Sequence, residues 1–355
     1  MREIFFISIL VFISITTASN ANSETQIYGS VRFATFFMSE NDMRERDKDY
    51  ITWDLMNNSR VGGKIENNTI KAGFEFGNGH DGVELRKLFA TYSFSENLKI
   101  KIGKDYTPLN YFPSNQVAPI YENEGDSGLK PYGGIYEGYE NMIELSTDRL
   151  KIALIEPATE DDEAKLKFGL DADIEKTAPK IEVSYNIGSE NCYADFYTGF
   201  QTYKLIQNAT EVEFDINSWV LGINVGAHFG PFYALGNAYS GQNINPYGLW
   251  ADGDDSPRII GDEIYNCTTD GYIVVLGFEA TESTIFETGI GYIVHNLDGA
   301  VTKDETLSAY INLQFHVNDM FYVVPELGIV KYMEDNAGAE EGKKTYAGIK
   351  WQIDF

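Results

Sequence analysis

The chain has 355 residues, 14% Phe, Trp and Tyr, 33 Gly but only 10 Pro, and a formal charge of −27. Such acidity repels phosphate backbones and argues against a polybasic lipid-docking surface, so no nucleic acid partner is expected. Two cysteines and four histidines form neither a Cys-x-x-Cys pair nor a zinc pattern, and Cys192 and Cys267 are expected to be free, although an exported location would permit a disulfide.

Met1-Arg2-Glu3 leads into the apolar run Ile4–Ile15, and Ser19-Asn20-Ala21 is a small-x-small pattern. Residues 1–21 therefore read as a secretory signal peptide, too short in its apolar part for a membrane anchor. Residues 22–355 carry no linker or shift of composition and are expected to form one domain. Ile27, Gly29, Val31 and Phe33 alternate with Tyr28, Ser30 and Arg32. The same two-residue period continues through Trp53–Ile65, Ile70–Gly77 and Lys99–Gly103. It is clearest at the end, where Ala347, Ile349, Trp351, Ile353 and Phe355 alternate with Gly348, Lys350, Gln352 and Asp354. One face of each segment suits lipid or a core and the other suits water.

Turn residues separate sixteen predicted strands: 25–38, 51–66, 69–77, 83–94, 98–105, 135–146, 150–156, 179–187, 191–204, 214–229, 231–242, 270–281, 284–296, 304–318, 320–333 and 345–355. Short and long connections alternate, which puts both termini on the short-turn side, as an even strand number requires. The segment 164–175 is assigned to a surface loop. A bulge or bend is expected at Pro325, which removes one ladder donor. Lys87 is expected to face outward beside Leu85 and Phe89, with its ammonium snorkelling or near a subunit contact. Lipid cannot satisfy free peptide groups, so these strands cross a membrane only as a closed antiparallel β-barrel. The expected fold class is all-β, and the expected location is the outer membrane of a Gram-negative bacterium, with its lipid and lipopolysaccharide as surroundings.

Several segments resemble the Gram-negative general porins. They are Ile27–Arg32, Asn58-Ser59-Arg60-Val61-Gly62-Gly63-Lys64, Ile102-Gly103-Lys104-Asp105-Tyr106-Thr107-Pro108, Gly230-Pro231 with Gly241-Gln242-Asn243, and the last ten residues. The ordered set spans nearly the whole mature chain, although each motif is degenerate. The resemblance implies a sixteen-stranded barrel, a homotrimer, a long third loop folded into the lumen, and passive diffusion of ions and small hydrophilic solutes. It also implies that Tyr346, Gly348, Trp351, Ile353 and Phe355 form the outer-membrane insertion signal. Pro131-Tyr132-Gly133-Gly134 stands where the family has Pro-Glu-Phe-Gly-Gly, which puts the detailed eyelet geometry in doubt.

For the pore constriction, Arg32, Arg60 and Arg86 are carried over from the family's basic wall cluster, and Lys101 shares their polar register. Glu122, Glu124 and Asp126 of the 106–134 connection face them by region, with Glu137 at the loop exit. Opposed charges across a narrow channel sort solutes by size and charge without tight binding. Asp252, Asp254, Asp255, Asp262 and Glu263 form a candidate calcium or magnesium cluster. They lack ordered Ca-loop spacing, which favours a plain solvated face over a metal site. No cofactor is required. His80, His228, His295 and His316 select no nucleophile and base, so no enzyme is expected, with a lipid-modifying barrel as one alternative. A sugar-specific porin is the other, with Tyr193, Tyr197 and Tyr203 compatible with a sugar path or with packing.

Overall fold

Successive residues of a strand point to opposite faces, so the alternation in the sequence becomes a two-sided wall. The computed structural model describes residues 23–42, 47–79, 82–118, 126–159, 172–189, 191–208 and 211–355. The expected signal peptide lies outside them. The strands are β1 (Glu24–Asp42), β2 (Lys48–Leu55), β3 (Arg60–Glu66), β4 (Ile70–Gly79), β5 (Gly82–Ser93), β6 (Lys99–Tyr106) and β7 (Tyr139–Ser146). Then come β8 (Leu150–Ile155), β9 (Ala172–Glu175), β10 (Lys180–Ser189), β11 (Cys192–Gln207), β12 (Glu213–Phe229) and β13 (Phe232–Gln242). The short helix α1 (Ile244–Tyr247) and the hairpin β14 (Arg258–Ile260) and β15 (Glu263–Tyr265) precede β16 (Cys267–Thr281) and β17 (Thr284–Leu297). β18 (Asp304–His316), β19 (Phe321–Glu334) and β20 (Glu340–Asp354) complete the chain.

Eighteen segments share one antiparallel sheet. β2 and β3 both pair with β1, and β9 and β10 both pair with β11, so each couple is one interrupted wall strand. Sixteen wall strands result. β20 pairs with β1 from Ser30↔Asp354 to Asp42↔Gly342 and closes the ring. The final residue joins the seam, because Gly29 and Phe355 exchange backbone hydrogen bonds of 2.7 and 3.0 Å. Part of the expected 164–175 loop is a strand, β9. It lengthens the position of β10 and adds no seventeenth strand, so both ends of the chain stay on the short-turn side.

Ile51, Trp53, Leu88, Ile102, Leu221, Val274, Ile311 and Leu327 are each more than half exposed on the outer face. They belong to strands all round the ring, and an apolar belt of this extent is stable against hydrocarbon and not against water. On the inner face of the same wall, Glu75, Glu144, Glu182, Gln201, Asn237, Glu287 and Glu326 are buried.

The expectation at Lys87 is corrected, and of the bulge or bend expected at Pro325 the bulge is absent. At Pro325 no bulge forms. β18 and β19 keep one register from Asn312↔Glu326 to Phe315↔Val323, with the pairs between them missing. A proline cannot donate to the ladder, and here the ladder skips rather than shifts. At Lys87 the alternation breaks: Glu75 pairs with Lys87 and Phe76 with Leu85, which leaves Arg86 as the extra residue of a bulge. The bulge turns Lys87 inward, 3.4 Å from Asp105 and 4.3 Å from the centre of the Tyr106 ring.

Candidate functional site

The inner wall is assembled around residues 56–59, where the second wall strand leaves the ladder between β2 and β3. Met56 N–H donates to Arg32 O at 2.9 Å, Arg32 N–H donates to Ser59 Oγ at 2.9 Å, and Ser59 Oγ–H donates back to Arg32 O. This excursion presents Asn58 to the interior. Its Oδ1 accepts from Arg60 at 2.8 Å and Arg86 at 2.9 Å, and its amide donates to Asp126 at 3.1 Å. Glu75 lies behind the two arginines, 3.5 Å from Arg60 Nε and 3.3 Å from Arg86 Nε, and accepts from the Tyr28 hydroxyl. Shared acceptors thus fix two guanidiniums side by side.

Asp126 completes a second cluster. It pairs with Arg32 and, at 2.8 Å, with Lys350. Burial opposes its ionisation, but Lys350 and Arg32 outweigh burial and hold the carboxyl well below the ordinary carboxylate range. Arg32, Arg60, Arg86 and Asp126 line one cavity of about 880 Å³. Glu137 also borders it, but its carboxylate is fully buried against the equally buried Lys180 and takes a 2.9 Å bond from Thr107 Oγ1. The cavity lining does not include Lys101, which pairs with Asp105 and Glu144 at 3.2 Å each. Glu122 and Glu124 lie outside the described residues.

Sequence reasoning missed Lys350, Glu75, Asn58, Lys104 and Lys130. Lys350 and Glu75 do sit on the polar side of the alternation, which was the available signal. It also missed the carboxylates that hold the 107–138 connection. Leu109 N–H donates to Glu182 at 3.2 Å, and Asn115 donates twice to Glu287 at 2.7 Å. Val117 and Ala118 N–H each donate to Glu326 at 2.9 Å. Gln116 donates to Ser308 at 3.0 Å and Tyr346 at 2.9 Å. A coil segment away from bulk water needs partners for its peptide groups, and inward-facing wall acids supply them. The other half of the connection presses flat on the wall. Gly133 has φ +102°, and a Cβ there would lie 2.6 Å from backbone atoms of Tyr272 and Tyr292. Only glycine fits both constraints.

A second connection lies over the first. Residues 243–257 belong to the long connection between the strands expected at 231–242 and 270–281, and Ile244 and Tyr247 are fully buried there with Leu109, Ile135, Tyr197 and Tyr239. Trp250 N–H donates to Tyr136 O, and Asp252 N–H to Pro131 O, both at 3.0 Å. Lys180 donates to Tyr247 O at 2.9 Å, and the Tyr247 hydroxyl donates to Glu182 at 2.9 Å. Of the tyrosines compatible with a sugar path or with packing, two are packed: Tyr197 stacks on Tyr111, and Tyr203 joins Leu205, Phe214 and Ile216.

Asp252, Asp254 and Asp255 border a separate cavity of about 880 Å³ with Asp298, Asp304 and Asp335, whereas Asp262 and Glu263 are not part of its lining. Asp254 pairs with Arg258 and accepts from Asn336. Among the described residues no three His, Cys, Asp or Glu side chains converge to hold a metal ion. Cys192 is exposed and Cys267 buried, and both are free. Tyr346, Gly348, Trp351 and Ile353 fall in β20, with Phe355 at the closing seam.

No protein-family model and no curated protein matches the sequence. Solved structures do match over nearly the full length. The outer-membrane channel DcaP of Acinetobacter baumannii is 14% identical with a TM-score of 0.70, covering 95% of this chain and 99% of that one. The anion-selective porin from Comamonas acidovorans is 13% identical at a TM-score of 0.61, covering 94% and 100%. OmpT of Vibrio cholerae, in trimer form, is 14% identical at 0.59, covering 94% and 100%. The chain therefore has the closed-barrel fold of these outer-membrane proteins.

Proposed function

We propose that this barrel is an outer-membrane channel for passive diffusion of ions and small hydrophilic solutes. The observation that carries the reading is a closed strand ring whose outer face is apolar and whose inner face encloses a charged cavity of about 880 Å³. Lipid meets the outside and water the inside, and ring closure leaves no free sheet edge among the described wall strands. The third connection, 106–134, folds into the lumen and narrows it. Its bonds to Glu182, Glu287 and Glu326 support that role. Arg32, Arg60, Arg86 and Lys350 form the basic side of the constriction, and Asp126 the loop acid that meets it. Glu122 and Glu124 are assigned to the same rim by sequence position.

The functional unit is a homotrimer, a reading supported by the trimer form recorded for the similar OmpT. Residues 1–21 are removed on export, and the strand ending in Phe355 directs insertion. Osmotic swelling of proteoliposomes tests the reading: small solutes are expected to enter at rates that fall steeply with size. Liposomes holding folded protein that admit none would refute it. Crosslinking of the membrane-extracted protein at three subunits checks the assembly.

A further inference from the structure

Five aromatic rings line one side of the cavity in an unbroken series. Tyr139 stacks on Tyr106 with centres 4.3 Å apart, and Phe112 lies 5.3 Å from Tyr106. Tyr136 follows at 5.8 Å from Phe112, and Trp250 at 6.0 Å from Tyr136. The series runs from the barrel wall, across the third connection, to the overlying 243–257 segment. Phe112 is 50% exposed although it faces the interior cavity and not lipid. An apolar ring left open to water in a charged chamber lacks a packing partner on that side.

The polar groups beside the rings are of mixed kind. Lys130 sits 4.4 Å from the Tyr136 ring centre and Arg86 4.8 Å from that of Tyr139. Asn58, Asn115, Lys104 and Glu140 border the same chamber and offer both donors and acceptors. A simple anion would use only the cations, and a plain aromatic solute would leave the polar rim unmatched. A pyranose has an apolar C–H face for a ring and hydroxyls that both donate and accept. The chamber is within the size range of pockets that take ligands larger than one sugar ring.

We infer that the Tyr139–Tyr106–Phe112–Tyr136–Trp250 series is a saccharide-binding track along which sugar rings rest weakly as they cross the barrel. The inference rests on the channel reading and names a solute class for the same chamber. Weak contacts repeated along a path keep a solute in the channel without trapping it.

Single-channel recording with sucrose tests it, with sorbitol as a hydroxyl-rich acyclic control and benzoate as an aromatic anion. Sucrose is expected to interrupt the current in proportion to its concentration, and sorbitol far less. Phe112→Leu keeps an apolar side chain but loses the flat ring, and is expected to weaken the sucrose binding constant by about tenfold. Phe112→Trp is expected to retain it. Equal interruption by sucrose and sorbitol, or an unchanged constant in Phe112→Leu, would overturn the inference. Interruption by benzoate but not sucrose would replace it with an aromatic-anion site. Tryptophan fluorescence of the folded barrel, with Trp250→Phe as control, reads sucrose binding independently of conductance. Binding without conductance would sink the channel reading and keep the track, and conductance without binding would do the reverse.

Discussion

Replacing Glu326 by alanine removes the acceptor of two loop N–H groups and isolates the effect of the loop's attachment. Val117 and Ala118 are nearly fully buried, and their peptide N–H groups donate to the two oxygens of this one carboxylate at 2.9 Å. Asn312 adds a third bond from the neighbouring strand at 3.1 Å. A buried donor left unmet costs roughly 1–3 kcal/mol, so two loop donors lose about 2–6 kcal/mol of attachment. Water entering from the chamber keeps the cost near the lower end, and about 2 kcal/mol still raises the detached population roughly thirtyfold. The Asn115–Glu287 bonds remain in this variant, so Glu287→Ala/Glu326→Ala is expected to exceed either single change. The assay is single-channel current at fixed voltage, read as open-state noise and mean conductance. Both are expected to rise in Glu326→Ala and further in the double variant. A double variant with native noise and conductance would refute the role of these acids in holding the third connection.

Arg60→Glu reverses one of two guanidiniums fixed by Glu75 and Asn58, and the reversal potential in a salt gradient is expected to move toward cation preference; an unmoved potential removes Arg60 from the constriction. Asp126→Asn is expected to move it the opposite way. Because the Asp126 carboxyl is held below its ordinary range, its charge is present above that depressed value and lost only below it, so the difference from the parent persists from pH 7 to pH 4.5. A difference that vanishes by pH 4.5 contradicts the pairing with Lys350 and Arg32. Lys180→Met leaves the buried Glu137 uncompensated and is expected to cost about 3–5 kcal/mol in denaturant unfolding, much of it recovered in Lys180→Met/Glu137→Leu. Gly133→Val places atoms against the Tyr272 and Tyr292 backbones and is expected to lower the denaturant midpoint and increase channel noise, both measurable on the same preparation.

The barrel itself was legible because its cause is local. A two-residue period and turn chemistry are written in consecutive residues, and all sixteen expected wall strands are present with the expected parity. The sites that escaped depend on one-residue departures or on long-range contact. Lys87 was read outward because a bulge that shifts register by one residue leaves no mark in hydropathy. The 243–269 connection was read only through its acids, while its attachment to the interior comes from Ile244, Tyr247 and Leu249, three apolar residues without strand period. Glu137 was grouped with the constriction acids at the loop exit, since nothing in the sequence places Lys180 beside it. Glu182, Glu287 and Glu326 were not singled out, because their partners are peptide groups more than seventy residues away along the chain.

Planar-bilayer recording of the folded mature protein across a salt gradient tests the central claim most directly. Stepwise, ohmic conductance with a reversal potential set by the constriction charges is the predicted result. Preparations with verified β-sheet content and membrane insertion that carry no current would contradict it.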